Sequence, residues 1–231
     1  MRMLFLMVIA ALTANIVSAQ LPELARTEIE NGWVLLFDGK STDGWKSASG
    51  NPFPETGWKI ENGVLYCDPS EGRGGDIITE GKYSDFEFSI EFKLTKGANS
   101  GIKYFIFENS TVGLEFQILD DDNHPDAARG IEGNRTQGGV YDIMAPSGNK
   151  KNMPLGEWNH ARIVSQGQYV EHWLNGQKIL SFERNSEDFF RRVANSKFED
   201  RDGFAQIKES PILLQDHNDV VYFRNIKIRE L

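Results

Sequence analysis

Phe86-Glu87-Phe88-Ser89-Ile90-Glu91-Phe92-Lys93-Leu94 decides the fold class. Apolar and polar residues alternate along it without a break. Phe86, Phe88, Ile90, Phe92 and Leu94 therefore share one face of an extended chain, and the polar residues share the other. A strand with one apolar face belongs in an antiparallel sheet packed against a core. Outward from this segment the same signal recurs at short intervals. Upstream, Trp33–Phe37 reads as an apolar strand ending at Asp38-Gly39, with Asp43-Gly44-Trp45 in a loop. Trp58–Glu61 and Val64–Cys67 flank Asn62-Gly63, a strong two-residue hairpin signal. Downstream, a Gly/Asn/Ser turn leads to Ile102–Phe107 and then to Leu114–Leu119.

Residues 127–157 are rich in loop formers, with one expected strand at Gly139–Ile143. Asn159–Val164 and Tyr169–Leu174 read as a hairpin, and Asn175-Gly176 turns the chain into Ile179–Phe182. Ser186 is placed to cap one short helix whose buried side would carry Phe189, Phe190 and Val193. Two strands, Ile212–Gln215 and Val220–Ile228, close the chain around Asp216-His217-Asn218-Asp219. Many strands at short spacing with a single short helix predict an all-β antiparallel sandwich or jelly roll.

Residues 1–19 read as an export signal. Arg2 starts it, Leu4–Val17 is a mostly apolar run, and Val17-Ser18-Ala19 is a small-residue cleavage pattern. The run is short for a membrane span, so no span is expected in the mature protein, and the expected destination is the periplasm or the medium. Residues 20–231 are expected to form one domain, with no repeat or linker. The formal charge of −9 makes nucleic acid and anionic membrane poor partners. One cysteine, Cys67, rules out an internal disulfide, and its strand setting predicts a buried, inert thiol. The glycine-rich segment Glu71–Asp76 lacks the Lys-Ser/Thr ending of a phosphate loop and reads as a flexible rim.

The chemistry concentrates in Gly113–Asp126. Leu114, Phe116 and Ile118 share one face, while Glu115 and Gln117 share the other, and the strand opens into Asp120-Asp121-Asp122-Asn123-His124-Pro125-Asp126. Glu115, Gln117 and Asp120 resemble the E-x-D-x-x-E pattern of laminarinase-like glycosidases, which use a curved β-sandwich. Here the middle acid is an amide and the last is Asp, which disfavours the paired carboxylates of a retaining glycosidase. The acid/His loop could hold a divalent cation, or it could be an acidic turn that caps itself. His124, beside several carboxylates, is the candidate acid or base. His217 sits at a strand end and is a second one. His160 reads as structural or exposed. His172 shares its strand face with Val170 and Leu174 and reads first as a satisfied core or groove residue, then as a ligand contact. Lys103 and Arg224 interrupt apolar strands, and Lys197 follows the helix. Each could form a surface ion pair or stabilise an oxyanion.

Several of these stretches together resemble a known family: Trp33–Lys40 with Gly44-Trp45, Ser100–Tyr104, Glu115–Asp120, His124–Ala127, Gly156–Asn159, Glu171–Gly176, Ser196–Phe198, Leu214–His217 and Phe223–Ile228. The chain is similar to the 3-keto-disaccharide hydrolase domain over nearly its whole mature length. The resemblance implies a concanavalin-like jelly roll and action on 3-keto-glycosides, with a carbohydrate as substrate. It implies proton transfer by His124, Glu115 and His217. Lys197, Lys103, Arg224 or a cation on Asp120 would stabilise an enolate. Gln117, Gln215, Tyr104, His172 and Tyr141 would bind sugar hydroxyls. The competing expectations are a carbohydrate-binding module on the same fold and a conventional β-glucanase, the latter disfavoured by Gln117.

Overall fold

A computed structural model describes residues 21–231. The expected export signal lies outside these residues. In chain order the strands are β1 (Val34–Leu35), β2 (Trp45–Ser47), β3 (Trp58–Glu61), β4 (Val64–Cys67), β5 (Ile77–Thr79), β6 (Phe86–Leu94), β7 (Asn99–Tyr104), β8 (Leu114–Leu119), β9 (Trp158–Gln166), β10 (Tyr169–Leu174), β11 (Gln177–Glu183), β12 (Leu213–Leu214) and β13 (Val221–Glu230). Two short helices join them, α1 (Arg26–Glu30) and α2 (Glu187–Val193).

The strands form two antiparallel sheets. The larger has the order β11-β10-β9-β6-β13-β4-β3, with β1 also on β13. The smaller has the order β2-β5-β12-β7-β8. This is a β-sandwich of the jelly-roll class. The alternating strand β6 sits at the centre of the larger sheet, between β9 and β13. Its five apolar side chains are at most 5% exposed. Full burial of each large apolar side chain contributes about 1.5–3 kcal/mol, so this one strand is a major anchor of the core. On its outer face Glu87 is also buried, paired with Arg162 and Arg229. Both hairpin turns adopt left-handed backbone at both positions, with φ of 51° and 79° at Asn62-Gly63 and 49° and 79° at Asn175-Gly176. That is the type I′ geometry that matches strand twist.

Several expectations change. Trp33–Phe37 shortens to the two residues of β1, because β13 divides its edge. Tyr222 and Phe223 pair with β4, whereas Lys227 and Ile228 pair with β1. The expected strand at Ile102–Phe107 begins earlier, at Asn99, and stops at Tyr104, where Phe105 takes φ 48°. Gly139–Ile143 is not a strand. Val140 makes only isolated bridges, and Asp142 turns the chain at φ 63°. Phe190 is 47% exposed while Phe189 is fully buried, because adjacent helical positions lie about 100° apart and only Phe189 and Val193 share a face. Helix α1 and the short strands β2 and β5 went unrecognised in the sequence. Cys67 is buried, and that burial pushes its thiol well above the ordinary range.

Candidate active site

The smaller sheet has an inner face of Ile102, Tyr104, Leu114, Phe116, Ile118, Leu214 and Ile77, all in the core. Its other face carries the polar residues of the same strands. Cross-strand pairing aligns Glu115 with Lys103 and Gln117 with Gly101. The Gln215 amide N–H donates to the Gly101 carbonyl, continuing the sheet toward β12. The backbone of residues 138–141 adds to the free edge of β8: Gly138 donates to Gln117, Gln117 to Gly139, and Tyr141 to Glu115. Tyr141 thereby stands beside Glu115, although its segment is not a strand.

Glu115 is 6% exposed. Its carboxylate lies 3.8 Å from Lys103 Nζ. Burial raises its pKa, and Lys103 and Lys197 only partly offset that effect. With its amide nitrogen toward Glu115, Gln117 donates to Oε1 at 3.1 Å and to the Ser100 carbonyl at 3.2 Å, which satisfies both ends of the amide. Gly101 makes this geometry possible. A Cβ there would sit 2.3 Å from Glu115 Oε1, so the carboxyl lies across a surface only glycine leaves open.

Lys197 approaches from the segment after α2. Its ammonium is 4.0 Å from the centroid of the Tyr141 ring. Burial lowers its pKa, against the opposing pull of Glu115. An Asp–Arg–Asp bridge locks both residues. Arg135 donates to Asp126 at 3.0 Å and to Asp142 at 2.6 Å. Asp126 accepts from the Tyr141 hydroxyl at 2.8 Å, and Asp142 accepts from the Lys197 backbone N–H at 2.8 Å. A pocket of about 190 Å³ opens over Glu115, Lys103 and Lys197.

Two histidines stand together in the loops that follow β8 and β12. The rings of His124 and His217 are 6.0 Å apart and nearly perpendicular. His217 Nδ1 is 3.7 Å from Asp219. Donor atoms of His124, His217 and Asp219 all lie within 4.8 Å of one another, a spacing that fits a divalent cation. His217 is close enough for its charge to lower the Glu115 pKa slightly.

Glu115, Gln117, Lys103, Lys197, Tyr141, Gln215, His124 and His217 are thus brought to one face and its rim. Four expected residues are not. Tyr104 and His172 are fully buried between the sheets, where the Tyr104 hydroxyl meets His172 Nε2 at 2.6 Å. Tyr104 follows Lys103 on a strand, and adjacent strand residues point to opposite faces. Arg224 lies on the outer face of the other sheet, bonded to Glu91 at 2.7 Å and stacked on Trp158. Asp120 forms a turn. Its carboxylate accepts from the Gly97 N–H at 2.7 Å and the Asn123 amide at 2.8 Å, so it is not free to hold an ion in the site.

Two features escaped the sequence reading. Asp76 precedes β5 and faces the same side as Lys103. Burial raises its pKa, and Lys103 is the largest opposing influence. Its position just before the apolar Ile77-Ile78 was the available signal. The glycine-rich rim is also tied down. Gly75 N–H donates to Asp216 at 2.8 Å, and Arg73 donates to the Asp216 carbonyl at 2.6 Å. Gly57 packs on Gly74 with no room for a side chain, since an added Cβ would meet the Gly74 nitrogen at 2.0 Å.

A buried carboxylate and two lysines on one face of a jelly-roll sheet, with two histidines in the loops beside it, make a site built for proton transfer, and family membership makes the chain a carbohydrate-active enzyme of the hydrolase/lyase type on glycosides. The chain belongs to the family of the 3-keto-alpha-glucoside-1,2-lyase-like domain, whose profile matches residues 32–229. A 3-keto-disaccharide hydrolase of Bacteroides thetaiotaomicron is 33% identical, over 94% of this chain and 83% of that protein. A solved candidate glycosyl hydrolase from Parabacteroides distasonis is 34% identical with a TM-score of 0.82, covering 92% of this chain and 100% of its own. The carbohydrate-binding module CBM66 of Bacillus subtilis shares the fold alone, at 12% identity and a TM-score of 0.51, over 81% of this chain and 96% of that one.

Proposed function

We propose that this protein is exported and cleaves 3-keto-glycosides by elimination and rehydration. One observation carries the reading. The strand face that would need two carboxylates for double displacement holds one, Glu115, with the Gln117 amide bonded to it and two lysines around it. A ketone at C3 acidifies the C2 proton. Glu115 removes that proton, and the C2–H electrons form the C2=C3 bond of an enolate. Lys103 and Lys197 stabilise the enolate oxygen. When the C3 carbonyl re-forms, a C1=C2 bond is made and the C1–O bond breaks. The departing oxygen takes a proton from His124 or His217. Water then adds across C1=C2, hydroxide to C1 and a proton to C2, for net hydrolysis. Gln117, Gln215 and Tyr141 hold hydroxyls. His124, His217 and Asp219 could instead hold a divalent cation, whose positive charge would support the same enolate.

The test uses a 3-keto-disaccharide and its unoxidised parent, each with and without chelator. Turnover of the keto sugar alone is expected, and binding of both without turnover overturns the reading. Loss of rate on chelation supports the cation reading of His124, His217 and Asp219. His124→Ala should abolish most turnover. Its stability loss should stay near the ~1 kcal/mol of a lost cap, since among the described residues the ring accepts only the Asp126 N–H. Cell fractionation tests export.

Gly101→Ala isolates positioning. The methyl group would displace the Glu115 carboxyl, and kcat should fall about 10-fold to 100-fold with KM little changed. In a Glu115→Gln background the same change should cost almost nothing further. A full additional loss would mean that Gly101 acts elsewhere.

A further inference from the structure

The outward face of the smaller sheet carries a second row beside the Glu115–Lys103 pair. Ile77 pairs with Leu214, Leu214 with Ile102, and Gly101 with Gln117. One residue along from the first two pairs, the row therefore reads Asp76, Gln215, Gly101, Gln117. The Gln215 N–H donates to the Gly101 carbonyl at 3.0 Å, and the Asp76 carbonyl accepts from the Ala48 N–H at 2.8 Å, so backbone bonds fix the row. Glu115 leans its carboxyl across Gly101 and into it. Asp76 and Gly101 are two strand spacings apart, about 10 Å. That is beyond the roughly 5–5.5 Å of a double-displacement pair and leaves room for a water. Asp76 Oδ1 accepts the Asp216 N–H at 3.0 Å, and its Oδ2 accepts nothing among the described residues. Asp76 also lies in the wall of a trough of about 710 Å³, lined by Ser47, Ser49, Arg73, Asn109, Ser110 and Thr111. Thr111 lines the Glu115 pocket as well, so the two spaces meet there. Arg73, Asn109 and Thr111 are exposed, which opens the trough to solvent.

We propose that Asp76 is the base that delivers water to C1, and so decides whether this protein finishes as a hydrolase or stops as a lyase. The inference rests on the reading of the Glu115 site as the place of elimination. That step leaves C1=C2 conjugated to the C3 carbonyl, with the abstracted proton on Glu115. Hydration therefore needs a second base. The histidine that protonated the departing oxygen has the leaving group in front of it. Asp76 has a free carboxylate oxygen and a supply of water from the trough. Burial raises its pKa, which makes it a stronger base than an exposed aspartate. It takes one proton from a water. The water oxygen bonds to C1, and the C1=C2 pair moves into the C2=C3 enolate, again beside Lys103 and Lys197. Glu115 returns its proton to C2 as the C3 carbonyl re-forms. The Asp76 proton passes through solvent to recharge the histidine, so the protons balance. The span fits as well. A water about 2.6–3.2 Å from its base, with reacting atoms about 3–3.5 Å apart at C1 and at C2, fills the distance between the two carboxyls.

Asp76→Asn separates the two halves of the reaction. The amide is nearly isosteric, and its oxygen can still accept the Asp216 N–H. With a 3-keto-disaccharide the variant should consume substrate within about threefold of the parental rate. It should release the C1=C2 unsaturated keto sugar, one water lighter than the parent's product and visible by its near-ultraviolet absorbance. Supplied with that unsaturated sugar directly, the parent should hydrate it, and Asp76→Asn should do so about 100-fold more slowly or worse. Asp76→Glu keeps a carboxylate and should release an intermediate share of the unsaturated sugar. It decides the question where the amide variant does not fold. A parental product ratio in the folded variants, or an equal fall in consumption and hydration, overturns the inference and leaves the elimination standing. Release of the unsaturated sugar by the parent itself does the same. A parent that hydrates the unsaturated sugar but consumes no disaccharide removes only the elimination, and the hydration rate of Asp76→Asn then decides. A parent that does neither overturns both.

Discussion

Glu115→Gln should lower turnover of a 3-keto-glycoside by 10²- to 10⁴-fold, the usual worth of a positioned proton-transfer group. The amide is nearly isosteric and can keep its contact with Gln117, so the loss reports on the missing base and not on a collapsed pocket. The pH dependence gives a second signature. Burial raises the Glu115 pKa above 4.5. The active, ionised form therefore fills at higher pH than for an exposed glutamate, and the parent's rate should climb on an acid limb displaced upward. Stability runs the other way. A carboxyl whose folded pKa is raised favours the fold fully below its unfolded pKa, and that favour is lost as pH rises through the folded value. The glutamine carries no such loss. The variant's stability relative to the parent should therefore improve from pH 4.5 upward, as read by melting at pH 4 and pH 7. A variant within threefold of parental activity, or a stability difference that does not change with pH, would sink the role.

His172→Leu should cost about 2–4 kcal/mol at pH 7, through two groups left without partners. His172 is fully buried, and its Nδ1 donates to the Gly138 carbonyl at 2.9 Å, which leaves Nε2 to accept from the Tyr104 hydroxyl. Burial depresses its pKa to about 4. For a group with a depressed folded pKa, the contribution is present above the unfolded value near 6.5 and lost as pH falls through 4. The loss is on the order of 3 kcal/mol. Urea unfolding at pH 7 and pH 4.5 should show the parent losing stability steeply and His172→Leu losing less. Adding Tyr104→Phe should recover part of the deficit, because one orphaned hydroxyl disappears. A cost under 1 kcal/mol at pH 7 with an unchanged acid slope would refute the pairing. The effect should reach the site only indirectly, since Gly138 belongs to the segment that edges β8 at Gln117.

Much of the site was legible because a strand has a period of two. Glu115 and Gln117 had to share a face, whatever the sheet. The same rule placed Tyr104 opposite Lys103, so those two could not serve one site. What periodicity leaves open is which face looks into the sandwich and which sheet a strand joins. His172 and Arg224 show this. Each is a polar residue in an apolar strand, yet one lies between the sheets and the other on the far outer surface. Past a bulge even the parity fails, and β13 carries one at Arg224–Lys227, with Asn225 at φ 52°.

Local chemistry in the sequence alone determined the all-β class, the two Asn-Gly hairpins, the capped helix after Ser186 and the acid-amide strand Glu115–Gln117. Those rest on backbone sterics and side-chain alternation, which act over a few residues. Only the tertiary structure decided that Asp76, Lys103, Lys197, Tyr141 and the histidine pair converge on that strand. It also decided that Arg135 bridges two carboxylates to hold Tyr141 and Lys197, and that Gly101 clears the space for Glu115. Those contacts join residues far apart in the chain, and the packing of two sheets around one core sets them.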